Sequence, residues 1–308
     1  MKLKTILWLV VLAWLWGIAF LFVKVAVQDI PPLTLVTARV GGAAAILYVI
    51  LRLQGRQLPK FGRIWLHFAA VGFLYNAAPY ALLAWGQQYI DSALAAMFIG
   101  ATPLITMLLA HLFTRDDHFT VTKGVGVALG FAGVTALLAP ALLDGVQATV
   151  LGLFAALFAA ISYGGAIVYA KNTLQGLPPL VSPTAQLTLA TIFLAPLSLL
   201  VEQPYALPLP SGTALGALLM LAIFSTAIAF YIYYRAMETT SASNLSMAGY
   251  LVPLVAMIMG VLVLGEQLAW NVYLGCALIF GGILTVNGVF SFIKWGHSEK
   301  ITPLPKSV

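Results

Sequence analysis

The length of the apolar runs limits this chain more than any other feature. Ten stretches, at residues 6–28, 34–53, 64–88, 93–113, 120–140, 150–171, 183–201, 212–237, 242–264 and 269–292, carry apolar side chains with few charges between them. A hydrocarbon layer of roughly 30 Å is crossed by about 20 residues of helix. In lipid a helix also satisfies its own backbone N–H and C=O groups, which a loop or an open strand cannot do. The expected fold is therefore an all-α membrane protein with ten transmembrane helices. Composition agrees, since only 8% of the 308 residues are charged, against about 25% in soluble domains.

Lys2 and Lys4 precede the first run, as in a signal peptide, but the run is too long for a cleaved apolar segment and has no small-residue cleavage site. It is expected to stay as an anchor. The single cysteine, Cys276, lies in the tenth run, so no disulfide framework and no cysteine-based metal site is possible within one chain.

The net charge of +6 could suggest a nucleic-acid partner, but its distribution points elsewhere. Thirteen of the fifteen Lys and Arg residues, all but Lys24 and Arg39, fall at run ends that ten alternating spans place on one side. Asp29, Asp91, Asp144, Glu202 and Glu266 mark the opposite ends. The excess of Lys and Arg assigns its side to the cytoplasm, so both termini are predicted to be cytoplasmic. The expected location is the cell inner (plasma) membrane, multi-pass, with the lipid bilayer as a partner and no nucleic acid.

The chain also repeats itself. "GIAFLFVKVAVQDIPPL" (Gly17–Leu33) and "GGAIVYAKNTLQGLPPL" (Gly164–Leu180), 147 positions apart, share seven of seventeen residues. Further on, at an offset of 150, Ala77 lies over Ala227, Tyr80 over Phe230 and Pro103-Leu104 over Pro253-Leu254. Gly126 and Gly133 then match Gly275 and Gly282, each pair seven residues apart and so on one helix face. The expected organisation is a first five-helix repeat at 1–144, a second at 145–294 and a cytoplasmic tail at 295–308. Five is odd, so the second repeat enters the membrane from the other side. Inverted repeats suit a carrier, because two similar halves can exchange conformations around a central site.

The motif set is specific at this point. "P-P-L" follows the first helix of each half, "P-L" lies within the fourth and ninth runs, and "L-G-E" (Leu264, Gly265, Glu266) closes the ninth. With ten spans in two five-span repeats, residues 6–292 resemble the EamA type of the drug/metabolite transporter superfamily. The equivalent of "G-E" in the first half reads Arg115-Asp116, a departure in a charged loop. Members of that family export amino acids, drugs or other metabolites, or carry nucleotide-linked sugars. The resemblance implies a secondary transporter that exports small amphipathic metabolites, amino acids first and aromatic or apolar ones among them, by alternating access. A carrier of phosphorylated or nucleotide-linked sugars and a non-transporting membrane scaffold are the alternatives.

Proline in a spanning helix removes one donor and frees the carbonyl four residues earlier. Pro103 and Pro253 occupy equivalent places and would free the carbonyls of Ile99 and Gly249, while Pro79 would free that of Tyr75. Paired interruptions in corresponding helices point to a transporter's binding site; the plainer alternative is that they only shape the bundle. Candidate substrate-binding residues at that depth are Trp16, Tyr75, Asn76, Tyr80, Phe98, Tyr163, Tyr231, Tyr234, Asn244 and Tyr250. Rings with a polar edge suit a cavity that takes a partly apolar solute and is wet when empty, although Trp and Tyr also form interfacial belts.

Two cations lie within the runs. Lys24, near an outer end, is expected to snorkel to the headgroups. Arg39, about 10 Å into the second run by the helical rise, is expected to do the same, with a role as charge partner for a substrate carboxylate as the alternative. No carboxylate falls at mid-run, and His67 and His111 fall near cytoplasmic ends, so no proton relay is legible. Neither a phosphate-binding glycine loop nor a metal-ligand or nucleophile motif is present, so no enzyme activity, no catalytic residue, no metal and no cofactor are expected. Gly126-x-x-x-Gly130 allows close helix packing, either within a monomer or in a homodimer.

Overall fold

A computed structural model describes residues 3–113, 120–144, 147–237 and 248–286. Among the described residues the chain is helical with no strand. Eight helices are long and apolar enough to cross a membrane: Ile6–Ala26, Pro32–Leu53, Ile64–Gly86, Ser92–Phe113, Val121–Leu143, Gln147–Thr173, Val181–Val201 and Gly212–Ala236. Ala248–Leu264 and Trp270–Val286 are shorter apolar helices, each bordering residues outside the described set. Each of these ten helices overlaps one of the ten apolar runs, and in chain order they are called the first to tenth spans below.

Local chemistry explains the joints. The second span (Pro32–Leu53) begins after Pro31 in an extended conformation, with Pro32 in the first turn. There a missing N–H and a fixed φ cost the helix nothing. The third and eighth spans are not regular. The third runs as an α-helix over Ile64–Val71, widens to a π-helix over Gly72–Ala77 and returns to α over Ala78–Gly86. The eighth does the same, with α over Gly212–Met220, π over Leu221–Ile228 and α over Ala229–Met237. Single π turns inside α-helices are uncommon and concentrate at functional sites. Both fall at the same place in the repeat register.

The packing follows the repeat. The first span lies against the eighth and ninth, and the sixth lies against the third and fourth. The π segment of the eighth span packs on the second, and that of the third packs on the seventh. The second pairs with the seventh, the fourth with the ninth and the fifth with the tenth. Exchanging each span with the one five places later maps this pattern onto itself. The fifth and tenth approach so closely that a Cβ on Gly133 would lie 2.7 Å from the Gly275 carbonyl oxygen, and one on Gly126 would lie 2.6 Å from that of Gly282. The glycine pairs read in the sequence are thus the seam between these two helices.

The ends of the spans are tied by side chains to neighbouring backbones. Glu202, closing the seventh span, accepts the N–H groups of Leu33 (2.9 Å) and Thr34 (2.7 Å) and the Thr34 hydroxyl (2.7 Å). At the other end of the same helix pair, Arg56 donates to the Pro179 carbonyl at 3.3 Å. The second and seventh spans therefore run antiparallel, with each tail against the other's head. Glu266 accepts Ser92 N–H (2.7 Å) and Ala93 N–H (3.1 Å) at the start of the fourth span. Lys24 donates to the carbonyls of Gln87 (2.9 Å) and Ile90 (2.7 Å) beyond the third. The expectation that Lys24 snorkels is thus corrected: its ammonium satisfies carbonyls orphaned at a helix end.

Candidate functional site

The two π segments bring polar side chains into the middle of the bundle. Each π turn shifts the hydrogen-bond register by one residue and leaves a carbonyl to be satisfied otherwise. In the eighth span the Thr226 hydroxyl donates to the Leu221 carbonyl at 2.8 Å. The Thr226 hydroxyl oxygen in turn accepts from Arg39 Nε at 2.9 Å. In the third span Asn76 Nδ2 donates to Gln186 Oε1 at 3.5 Å, and Gln186 Nε2 donates to the Ser182 hydroxyl at 2.5 Å. Arg39 and Gln186 are 147 positions apart, and Asn76 and Thr226 are 150 apart. These are the two offsets of the repeat. One pair, Arg39 with Thr226, is thus the counterpart of the other, Gln186 with Asn76, and one carries a charge where the other is neutral.

Arg39 is 7% exposed. Snorkelling, the expectation for it, is therefore corrected: the side chain turns inward, with its guanidinium carbon 4.1 Å from the centre of the Tyr80 ring. That is a cation over the negative face of an aromatic ring. The Tyr80 ring is 6.4 Å from that of Tyr163, and Tyr163 is 5.1 Å from Tyr75. On the facing side Tyr234 is 5.4 Å from Tyr233, which is 5.6 Å from Trp16. Tyr231 and Tyr234 pack on the same apolar cluster as Tyr75 and Tyr80.

Not all candidates join this group. Phe98 is fully enclosed in a second cluster, against which Trp16, Tyr163 and Tyr250 also pack. Tyr163 alone among the candidate tyrosines touches both clusters. Asn76 is completely buried, and its Oδ1 has no hydrogen-bond partner. Asn244 lies outside the described residues.

The prolines do different things. Pro79 sits in the first turn after the π segment. The fourth span breaks at Ala101, between Ser92–Gly100 and Thr102–Phe113, with Pro103 just after the break. Pro253 lies inside the ninth span, which is helical from Ala248 through Leu264, and with no N–H it leaves the Gly249 carbonyl without its intrahelical donor. Pro103 thus follows a break between two helices, and Pro253 lies within one continuous helix. A Cβ on Gly100 would come within 2.8 Å of Pro253 Cγ, so the ring fills the space that this glycine leaves.

Sequence reasoning passed over Tyr233, Gln186, Ser182 and Thr226. The last two offer short hydroxyls with no distinctive spacing, but the repeat register itself places Gln186 over Arg39 and Thr226 over Asn76. Among the described residues no group of three or more His, Cys, Asp or Glu side chains could hold a metal ion. Rings, amides and one guanidinium are thus gathered in the interior of the bundle.

Comparisons agree on the class of protein. A crystal structure of another protein superimposes over 94% of this chain and 99% of its own, with a TM-score of 0.65 and 20% identity, which establishes a shared fold. The uncharacterized transporter YoaV of Bacillus subtilis (strain 168) is 27% identical, covering 94% of this chain and 98% of its own length. The uncharacterized inner membrane transporter YedA of Escherichia coli (strain K12) is 27% identical over 90% of this chain and 89% of its own. Protein PecM of Dickeya dadantii (strain 3937) is 26% identical over 84% of each. The family model of the EamA-like transporters matches twice, at residues 3–139 and again at 150–288. This chain, a multi-pass membrane protein, belongs to the EamA-like transporter family of the drug/metabolite transporter superfamily.

Proposed function

We propose that the protein is a secondary transporter that exports small amphipathic metabolites, amino acids with aromatic or apolar side chains foremost, across the cell inner membrane by alternating access. The observation that carries this is the pair of π segments with their symmetry-related polar pairs, Arg39 with Thr226 and Asn76 with Gln186, beneath a group of tyrosine rings. Rings supply apolar contact and polar edges together, and irregular helices at corresponding places in two halves are where carriers bind solute.

Ten spans arranged as two inverted repeats, 1–144 and 145–294, with both termini and the 295–308 tail in the cytoplasm, account for the antiparallel second and seventh spans and for the exchange pattern of the packing. A phosphorylated or nucleotide-linked sugar fits less well: it needs several cations, and among the described residues Arg39 is the one at the centre.

Counterflow in proteoliposomes tests the proposal. Vesicles preloaded with one amino acid should accumulate its labelled form when the protein is present, and a panel of amino acids, sugars and nucleotides defines the class. Exchange of sugar phosphates with no exchange of amino acids would overturn the substrate assignment. With no acidic or histidine relay at mid-span, exchange should persist after an ionophore collapses the proton gradient. Orientation is tested by single-cysteine labelling on a Cys276→Ala background, with position 202 reached from outside and position 60 from inside.

A further inference from the structure

The charge on Arg39 is not required by the packing around it. In the second half the equivalent place is filled by Gln186, a neutral amide that makes the equivalent contact to the equivalent π segment. A guanidinium stays protonated in any protein environment, and burying it without a counter-charge is expensive. Yet Arg39 is 7% exposed. Among the described residues it has no ion pair, and Nε to Thr226 is its one hydrogen bond. Its Nη groups carry four of its five N–H donors. The Tyr80 ring face offsets part of the cost and leaves those donors uncommitted.

Among the acidic side chains that the structure describes, none lies beside Arg39. Glu202 and Glu266 accept helix N-termini, Asp29 accepts from Ser211 N–H, and Asp91 stands at the head of the fourth span. All four sit at span ends.

We propose that Arg39 holds a carboxylate of the transported solute, which its two Nη groups engage end-on while Nε stays on Thr226. The inference rests on the transporter reading above and narrows its substrate class. Side-on engagement would use Nε and so break the bond to Thr226, whereas end-on engagement leaves the π segment undisturbed. Tyr75, Tyr80 and Tyr163 then lie beside the solute's apolar body. No described acidic group faces this place, so an ammonium on the solute has no charged partner. The carboxylate is the required group, and the amine is dispensable.

Binding to the purified full-length protein tests this with phenylalanine and its two single-charge relatives, hydrocinnamate, which lacks the ammonium, and phenethylamine, which lacks the carboxylate. Equilibrium dialysis with labelled compounds should find hydrocinnamate bound at least as tightly as phenylalanine and phenethylamine not measurably bound. Arg39→Gln, which copies the second half, should weaken hydrocinnamate at least tenfold, and Arg39→Lys, which keeps the charge without the planar fork, should fall between. The proposal is overturned if the wild type binds the amine as tightly as the acid, if it binds neither, or if Arg39→Gln leaves the acid affinity unchanged. Should Arg39→Gln not fold, the acid-to-amine comparison and Arg39→Lys still decide. Acid binding without counterflow would defeat the transporter reading alone, whereas counterflow of amino acids that Arg39→Gln leaves unaltered would defeat the role of Arg39 alone.

Discussion

Removing the Glu266 carboxylate should loosen the head of the fourth span. Glu266 accepts two backbone N–H groups, Ser92 at 2.7 Å and Ala93 at 3.1 Å, and both of those residues are fully buried. Hydrogen bonds to a charged acceptor are worth about 1.5–3 kcal/mol each, and an orphaned buried donor costs about 1–3 kcal/mol. Partial desolvation of the carboxylate offsets some of this, so Glu266→Ala should destabilise by about 2–4 kcal/mol. Glu266→Gln, which keeps one acceptor oxygen and loses the charge, should cost about half that. Gly260 provides a sharper test, because a Cβ there would overlap Glu266 Oε2 and lie 3.0 Å from the Ser92 hydroxyl. Gly260→Ala alone should therefore destabilise by about 1–3 kcal/mol through overpacking. In a Glu266→Ala background that clash is gone, and the helical gain of roughly 1 kcal/mol for Gly→Ala should make the same substitution neutral or stabilising. Equilibrium unfolding in mixed micelles by a denaturing detergent, followed by far-ultraviolet circular dichroism, measures all four variants. Strictly additive single effects, or a Glu266→Ala protein within about 0.5 kcal/mol of wild type, would refute the assignment of Glu266 as the cap.

Three further outcomes follow from other contacts. Gly133→Val should abolish the close approach of the fifth and tenth spans, since even a Cβ would be 2.7 Å from the Gly275 carbonyl; loss of monodisperse protein on size-exclusion chromatography is the expected result. Lys24→Met should cost about 1–3 kcal/mol, because the carbonyls of Gln87 and Ile90 lose a charged donor; the same unfolding assay reads it. Burial, then the neighbouring Glu266 charge, push the Asp91 carboxyl above its usual range, with Lys24 acting the other way. The folded state therefore binds the proton more tightly than the unfolded chain does, and Asp91 makes stability fall as pH rises from the ordinary carboxylate value through the raised one. Asp91→Asn should be more stable than wild type at neutral pH, and this advantage should vanish below about pH 4; an advantage that persists in acid would assign the effect to something other than ionisation.

Much of the fold was legible because lipid leaves so few choices. Apolar runs of about twenty residues admit little but helices, and the two copies of Gln-x-x-Pro-Pro-Leu set the register in which the packing repeats. Charged groups at span ends were legible as positions but not as contacts. Nothing near Glu202 in sequence announces Leu33 or Thr34, since the partner is a bare backbone N–H whose availability depends on how another helix starts. The contacts of Arg39 are hidden from the sequence for a related reason. Its distance from Pro32 permits snorkelling, and the inward alternative becomes attractive only when Tyr80 and Thr226, from two other spans, stand beside it.

The π segments show a deeper limit. In the third span Pro79 removes a donor, which by itself unsettles the α register ahead of it. The eighth has Ala229 at the equivalent place, and there the Thr226 hydroxyl takes the Leu221 carbonyl instead. Two different chemistries thus reach one backbone shape, and within the two π segments only Ala77 and Ala227 are the same residue in register. What the halves do share is the demand placed on that shape. Each π turn brings a polar side chain, Asn76 or Thr226, against a long polar side chain from the seventh or second span. A repeat whose local sequences have drifted this far keeps the geometry and spends its differences on the centre: an amide in one half and a guanidinium in the other. That difference gives the middle of an otherwise self-similar bundle a polarity, and a solute with one charged end and one apolar end is the kind of molecule that can read it.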